Sequence, residues 1–99
     1  MFTMAARYSI PQAAEDKAGK IYERAKSIWS KQAGFQSMQR YRIVEGPHAN
    51  QQMVVVRFTD RNSLTTARDK IKTEREKFLK ELADTGTKTE EMLMLDEVV

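Results

Sequence analysis

Arginine and tyrosine carry most of the chemistry open to this chain. Arg7 stands in an apolar N-terminal segment, FTMAARYSI, beside Tyr8. Tyr22 and Trp29 fall on the apolar stripe of a helix-like segment. Phe58 ends the run MVVVRF, and Arg75 interrupts a second helical stripe, four after Ile71 and three before Phe78. A guanidinium grips a carboxylate or phenolate with a planar fork of donors. A phenol orients a substrate or shuttles a proton, and Trp and Phe line an aromatic guest. Arg7, Tyr22, Trp29, Phe58 and Arg75 are therefore the candidate ligand-binding residues.

Each has a structural reading beside the functional one. An arginine on a mostly buried strand needs a partner, and for Arg7 a Glu or Asp serves as well as a ligand. Core packing is the commoner fate of aromatics at strand ends and on helix stripes, which weighs on Phe58 and Trp29. A buried tyrosine usually satisfies a backbone carbonyl. Arg75 either reaches a pocket mouth or runs outward along its own stem.

Other chemistries are excluded by what is missing. The chain has no cysteine, which removes disulfides, thiolate nucleophiles and zinc ribbons. Its one histidine, His48, sits by the turn-forming Gly46 and Pro47, so neither an imidazole metal cluster nor a hydrolase triad is expected. No metal and no cofactor are called for. A net charge of +3 permits anionic partners. The basic residues of RDKIKTEREKFLKE are mixed with acids, however, with Glu76–Lys80 and Lys77–Glu81 at helix-pair spacing. That is the pattern of a wet helix face, and nucleic acid is not expected as a partner. The longest apolar runs, Met53 to Val56 and Met92 to Leu95, fall far short of the ~20 residues of a membrane span. With no leader-like start, the chain reads as cytoplasmic.

The elements that must position these residues follow from periodicity. Residues 2–10 alternate, with Phe2, Met4, Ala6, Tyr8 and Ile10 on one side and Thr3, Ala5, Arg7 and Ser9 on the other. Pro11 closes that strand. A helix is expected over 12–32, stopped by Gly34, with Gly19 inside it where the helix sits close to something. Strands follow over 35–44 and 52–60, joined by the turn residues EGPHANQ. Asp60 caps a second helix that Gly86 ends, and residues 88–98 form the last strand. The order β-α-β-β-α-β predicts a single α+β, ferredoxin-like domain over 1–99. Its four-stranded antiparallel sheet should carry both helices on one face.

A monomer of this plan should show a polar second face. Here the strands are apolar on both sides, which predicts a homodimer with two sheets packed face to face. The candidate interface residues are Met4, Tyr8, Met53, Val55 and Arg57. Arg40, Arg42 and Arg57 are expected to form ion pairs across that interface with carboxylates of the last strand.

The element order, the strand FTMAARYSI, the hairpin into VVVRFTDRNSL and the closing LMLDEVV resemble the dimeric α/β-barrel superfamily. Within it they are most similar to the antibiotic-biosynthesis-monooxygenase-like group. Phe58, Asp60 and Leu64 fit the pattern of a strand ending in an aromatic, an acidic turn and a helix start. The resemblance implies a pocket in each subunit between sheet and helices. In some relatives it serves to oxygenate aromatic, polyketide-like compounds without metal or flavin; in others it degrades haem. The haem-degrading pattern needs an Asn in the first strand, near Arg7 here, and a Trp and a His on the second helix. Residues 61–85 contain neither Trp nor His, so haem degradation is not expected. Nor is RNA binding, because QQMVVVRF lacks the stacking aromatics that an open RNA-binding sheet needs. Three readings stand: a cofactor-independent monooxygenase acting on an aromatic or polyketide-like metabolite, a module that binds a small aromatic or anionic metabolite without turnover, and a dimeric interaction domain.

Overall fold

A computed structural model describes residues 1–98. Alternating side chains draw Phe2–Ser9 into strand β1. Pro11 then starts a short 3-10 turn over Gln12–Ala14, which leads into helix α1, Glu15–Trp29. Strands β2, Phe35–Arg42, and β3, Gln52–Phe58, form the expected hairpin, which turns through Gly46 and Asn50, both at positive φ. Helices α2, Arg61–Lys70, and α3, Lys72–Asp84, precede strand β4, Lys88–Asp96. The sheet order is β2-β3-β1-β4 and every pairing is antiparallel. The predicted ferredoxin-like plan holds.

Asp60 caps α2 as its type dictates, its Oδ1 accepting from Ser63 N at 2.7 Å. That bond holds the Asp60 carboxyl below its usual pKa. One helix expected up to Gly86 is in fact two. The chain breaks at Ile71, with φ −102° and ψ 17°, a buried β-branched residue anchored in the core. The break lets α2 lean on β1 and β3 while α3 leans on α1.

The core lies between helices and sheet. Phe58 is completely buried at its centre, edge-on to Trp29 and Phe35 with ring centroids 5.8 Å from each. Gly34 makes this packing possible. Its φ is +86°, and a Cβ there would lie 2.7 Å from the Ser63 Cβ at the start of α2. Gly34→Ala is expected to cost more than the roughly 1 kcal/mol of an ordinary glycine replacement, because left-handed strain and a clash with α2 add together. A lowered urea midpoint with an unchanged denaturant slope would show it. Gly19 lies 3.5 Å (from an ideal Cβ) from the Arg40 guanidinium, an ordinary contact that does not require glycine.

Register fixes which residues share a face. Phe2 pairs with Phe58, Met4 with Val56 and Ala6 with Val54, so all of these point at the helices. Thr3 pairs with Arg57, Ala5 with Val55 and Arg7 with Met53, so these point the other way. No helix covers that second face. Leu93 and Leu95 of β4, paired with Ala5 and Thr3, extend it and remain 36% and 45% exposed, large apolar side chains facing outward.

Two expectations are corrected by this register. Met4 and Tyr8 lie on the helix side and are buried there, not on the open face. Met53, Val55 and Arg57 do lie on the open face. Arg40 and Arg42, opposite Val54 and Gln52, also lie on the helix side, away from the face on which they were expected to form ion pairs. Arg42 pairs with Glu15 of its own α1 at 2.7 Å, Arg40 stacks over Tyr22 at 5.3 Å, and Arg57 donates to Gln39 at 2.6 Å. Glu81, expected to pair with Lys77, instead receives Arg24 of α1 at 3.1 Å.

Candidate functional site

A partly open cavity of about 90 Å³ lies between the sheet and α1 and α3. Its floor is formed by Met4, Ala6 and Tyr8 of β1, with Val54 and Val56 of β3 beside them. Period-two alternation places these on one face because every second residue of those strands is apolar. Ile21, Tyr22, Ala25 and Trp29 supply the α1 wall at helical spacing. Arg75, Phe78, Leu79 and Leu82 supply the α3 wall, and Met92 of β4 closes one end. The lining is mainly apolar, with few convergent polar groups, as in a small-molecule site. A cavity of roughly 150 Å³ admits benzene, so a single ring enters this one only as the space of about 90 Å³ widens by more than half.

Two arginines, two tyrosines and Trp29 bring polar groups to its lining; among the described residues no carboxylate and no histidine line it. Tyr22 donates its hydroxyl to Met38 O at 3.1 Å. Burial raises its pKa, helped by nearby Glu23 and opposed by Arg40. Burial likewise raises the Tyr8 phenol, and the charge of Arg75 works against that shift. Arg75 donates to the thioether sulfur of Met92 at 3.3 Å. It therefore reaches the pocket mouth instead of running into solvent. Among the described residues no cluster of His, Cys, Asp and Glu that could hold a metal ion is found.

Of the sequence candidates, the fold brings Tyr22, Trp29 and Arg75 together around the cavity. It does not bring Arg7 there. Arg7 projects from the opposite face, where it donates to Gln51 and pairs with Glu91 at 3.5 Å. Its structural reading is the one that applies, since a parity of one residue separates it from the cavity floor. Phe58 does not line the cavity either; with no exposure it is core. Arg40 lines the cavity too, although it was expected at the interface, as does Tyr8, whose phenol could orient a substrate but which was also assigned to the interface. The signal for Tyr8 was its place on the more apolar set of the first strand.

Searches among solved structures return the same fold repeatedly. SnoaB, a cofactor-independent oxygenase from Streptomyces nogalater, matches with TM-score 0.69 over 99% of this chain and 93% of that one, at 16% identity. The fold is that of the antibiotic biosynthesis monooxygenases. A protein of that description from Bordetella bronchiseptica matches with TM-score 0.72 over 99% of this chain and 97% of its own, at 10% identity. A mutant of MhuD with two manganese protoporphyrin IX molecules per active site matches with TM-score 0.71 over 100% and 96%, at 11% identity. No protein-family model matches the chain. No curated protein matches it. At these identities the likeness to the monooxygenases is one of fold. No helix among the described residues is long and apolar enough to cross a membrane.

Proposed function

We propose that this protein is a homodimer, each subunit of which binds a small aromatic or polyketide-like metabolite in the cavity between sheet and helices and oxygenates it without metal or flavin. The observation that supports this most is the cavity itself: an apolar chamber on the fold of cofactor-independent oxygenases, with Trp29 and Tyr22 in its wall.

The lining limits the chemistry. With no carboxylate or imidazole in reach, no side chain there serves as a general base near neutral pH. The substrate must then be acidic enough to react as its own anion. The reacting carbon is a CH2 that ionises to the anion: it gives up both hydrogens and four electrons to O2 and becomes a carbonyl, one oxygen atom entering that carbon and the other leaving with the two hydrogens as water. The protein's part is to hold the ring, exclude water and fix the geometry of approach. The same scarcity of acid–base groups favours a second reading, a carrier that binds without turnover.

Dimerisation accounts for the uncovered sheet face, where Val55, Leu93 and Leu95 stand in an apolar strip.

Trp29 is the sole tryptophan, so its emission reports directly on cavity filling. Ala25→Leu, which fills the cavity from α1, is expected to weaken binding of a single-ring ligand by about tenfold or more while the fold persists. Titration followed by Trp29 fluorescence measures this, and oxygen consumption with the bound compound separates enzyme from carrier. An affinity untouched by Ala25→Leu would move the site elsewhere.

A further inference from the structure

Arg75 is a cation without a carboxylate. Its neighbours at helical spacing are Ile71, Lys72, Phe78 and Leu79, none of them an acid. Among the described residues its one side-chain hydrogen-bond partner is a thioether sulfur, a weak acceptor for so strong a donor. The guanidinium is half-buried on the α3 wall. Tyr8 faces the same chamber from β1, buried, with a hydroxyl that donates to no described residue. One charged and one neutral donor thus converge on a space lined otherwise by apolar atoms.

The other arginine of the cavity differs. Arg40 lies over the Tyr22 ring, and its charge acts on Glu15, whose carboxyl is held below its usual pKa chiefly by Arg42 and also by Arg40. Its charge is already answered within the chain. The two ends of the cavity are therefore electrostatically unequal.

We infer that the cavity selects a single-ring organic monoanion, a carboxylate or phenolate, whose oxygen atoms are held by the Arg75 guanidinium and the Tyr8 hydroxyl while the ring lies toward Tyr22 and Trp29. This rests on the cavity being a ligand site and adds the charge and orientation of what it takes. Charge-assisted hydrogen bonds to a desolvated anion are strong, and a ligand oxyanion is the acceptor that Arg75 lacks. Tyr8 remains a protonated donor across neutral pH, since burial raises its pKa. A neutral isostere would leave the guanidinium as poorly partnered as it is in the empty cavity.

Benzoate and benzamide are the probes, matched in shape and different in charge. Calorimetry and Trp29 fluorescence on wild type are expected to show benzoate bound about tenfold or more tighter than benzamide. Arg75→Met keeps the apolar stem and should erase that preference while leaving benzamide binding within about twofold. Tyr8→Phe should weaken benzoate alone, and Arg7→Gln, on the far face, should change neither. Equal binding of both probes by wild type, or a benzoate preference that survives Arg75→Met, would overturn this assignment and leave the ligand site standing. Binding of neither probe would remove both. Should Arg75→Met fail to fold, the wild-type ratio and Arg75→Lys decide, since lysine keeps the charge and must keep a benzoate preference.

Discussion

Phe58→Ala is expected to lower folding stability by about 3–5 kcal/mol, the range for truncating a large buried aromatic. The ring is wholly buried and meets Trp29 and Phe35 edge-on, so its removal loses apolar burial and two aromatic contacts together. Neighbouring side chains cannot easily collapse into the gap, because Gly34 already holds the β2 start close against α2. Urea denaturation measures the effect as a lower midpoint at unchanged slope. Phe58→Leu, nearer in volume, should recover much of the loss. In either variant the ligand affinity of the folded fraction should change little, since Phe58 does not line the cavity. A variant of wild-type stability that had lost its ligand would return Phe58 to the binding site.

Leu93→Glu is expected to split the proposed homodimer while leaving the subunit folded. Leu93 is already 36% exposed in the single chain and sits on an edge strand, so a charge there costs the subunit within about 0.5 kcal/mol. Packed against a second sheet, the same carboxylate would be desolvated beside an Arg7 already engaged by Glu91, which costs several kcal/mol. Association should therefore weaken at least about hundredfold. Sedimentation velocity across a dilution series reads the change, and circular dichroism checks the fold. Wild type that sediments as a monomer at micromolar concentration would end the dimer reading and leave β4 in need of another cover.

How far the sequence could be read depended on parity. Element types and order were legible from alternation, from the stops at Gly34 and Gly86 and from the cap at Asp60, since each is local chemistry. The facing of β1 was legible too. Phe2, Met4, Ala6 and Tyr8 are the apolar set, and the alternation alone puts them on the core. Reading Arg7 as a ligand residue inverted that face, and with it the places of Met4 and Tyr8. One residue of parity sends every side chain to the other side of a sheet. Pairing makes the inversion untenable, because Arg7 lies opposite Met53, which was placed toward the partner. What no local rule supplies is the convergence of Tyr8 and Arg75, residues of distant segments that meet only when α3 leans toward the sheet. Nor does periodicity show the break at Ile71, because Leu64, Ala67, Ile71, Arg75 and Phe78 keep helical spacing on both sides of it.

The break at Ile71 divides the helical layer by duty. Helix α2 is seated on β1 and β3, whereas α3 rests mainly on α1 and carries Arg75 and Phe78 on the cavity side. A single non-helical residue joins them. Resting mainly on one helix instead of on two strands, α3 is expected to open before α2, its amides exchanging with solvent sooner. If the cavity takes the proposed ligand, its room and the guanidinium of Arg75 both depend on this less anchored helix, so filling it is expected to slow exchange along α3.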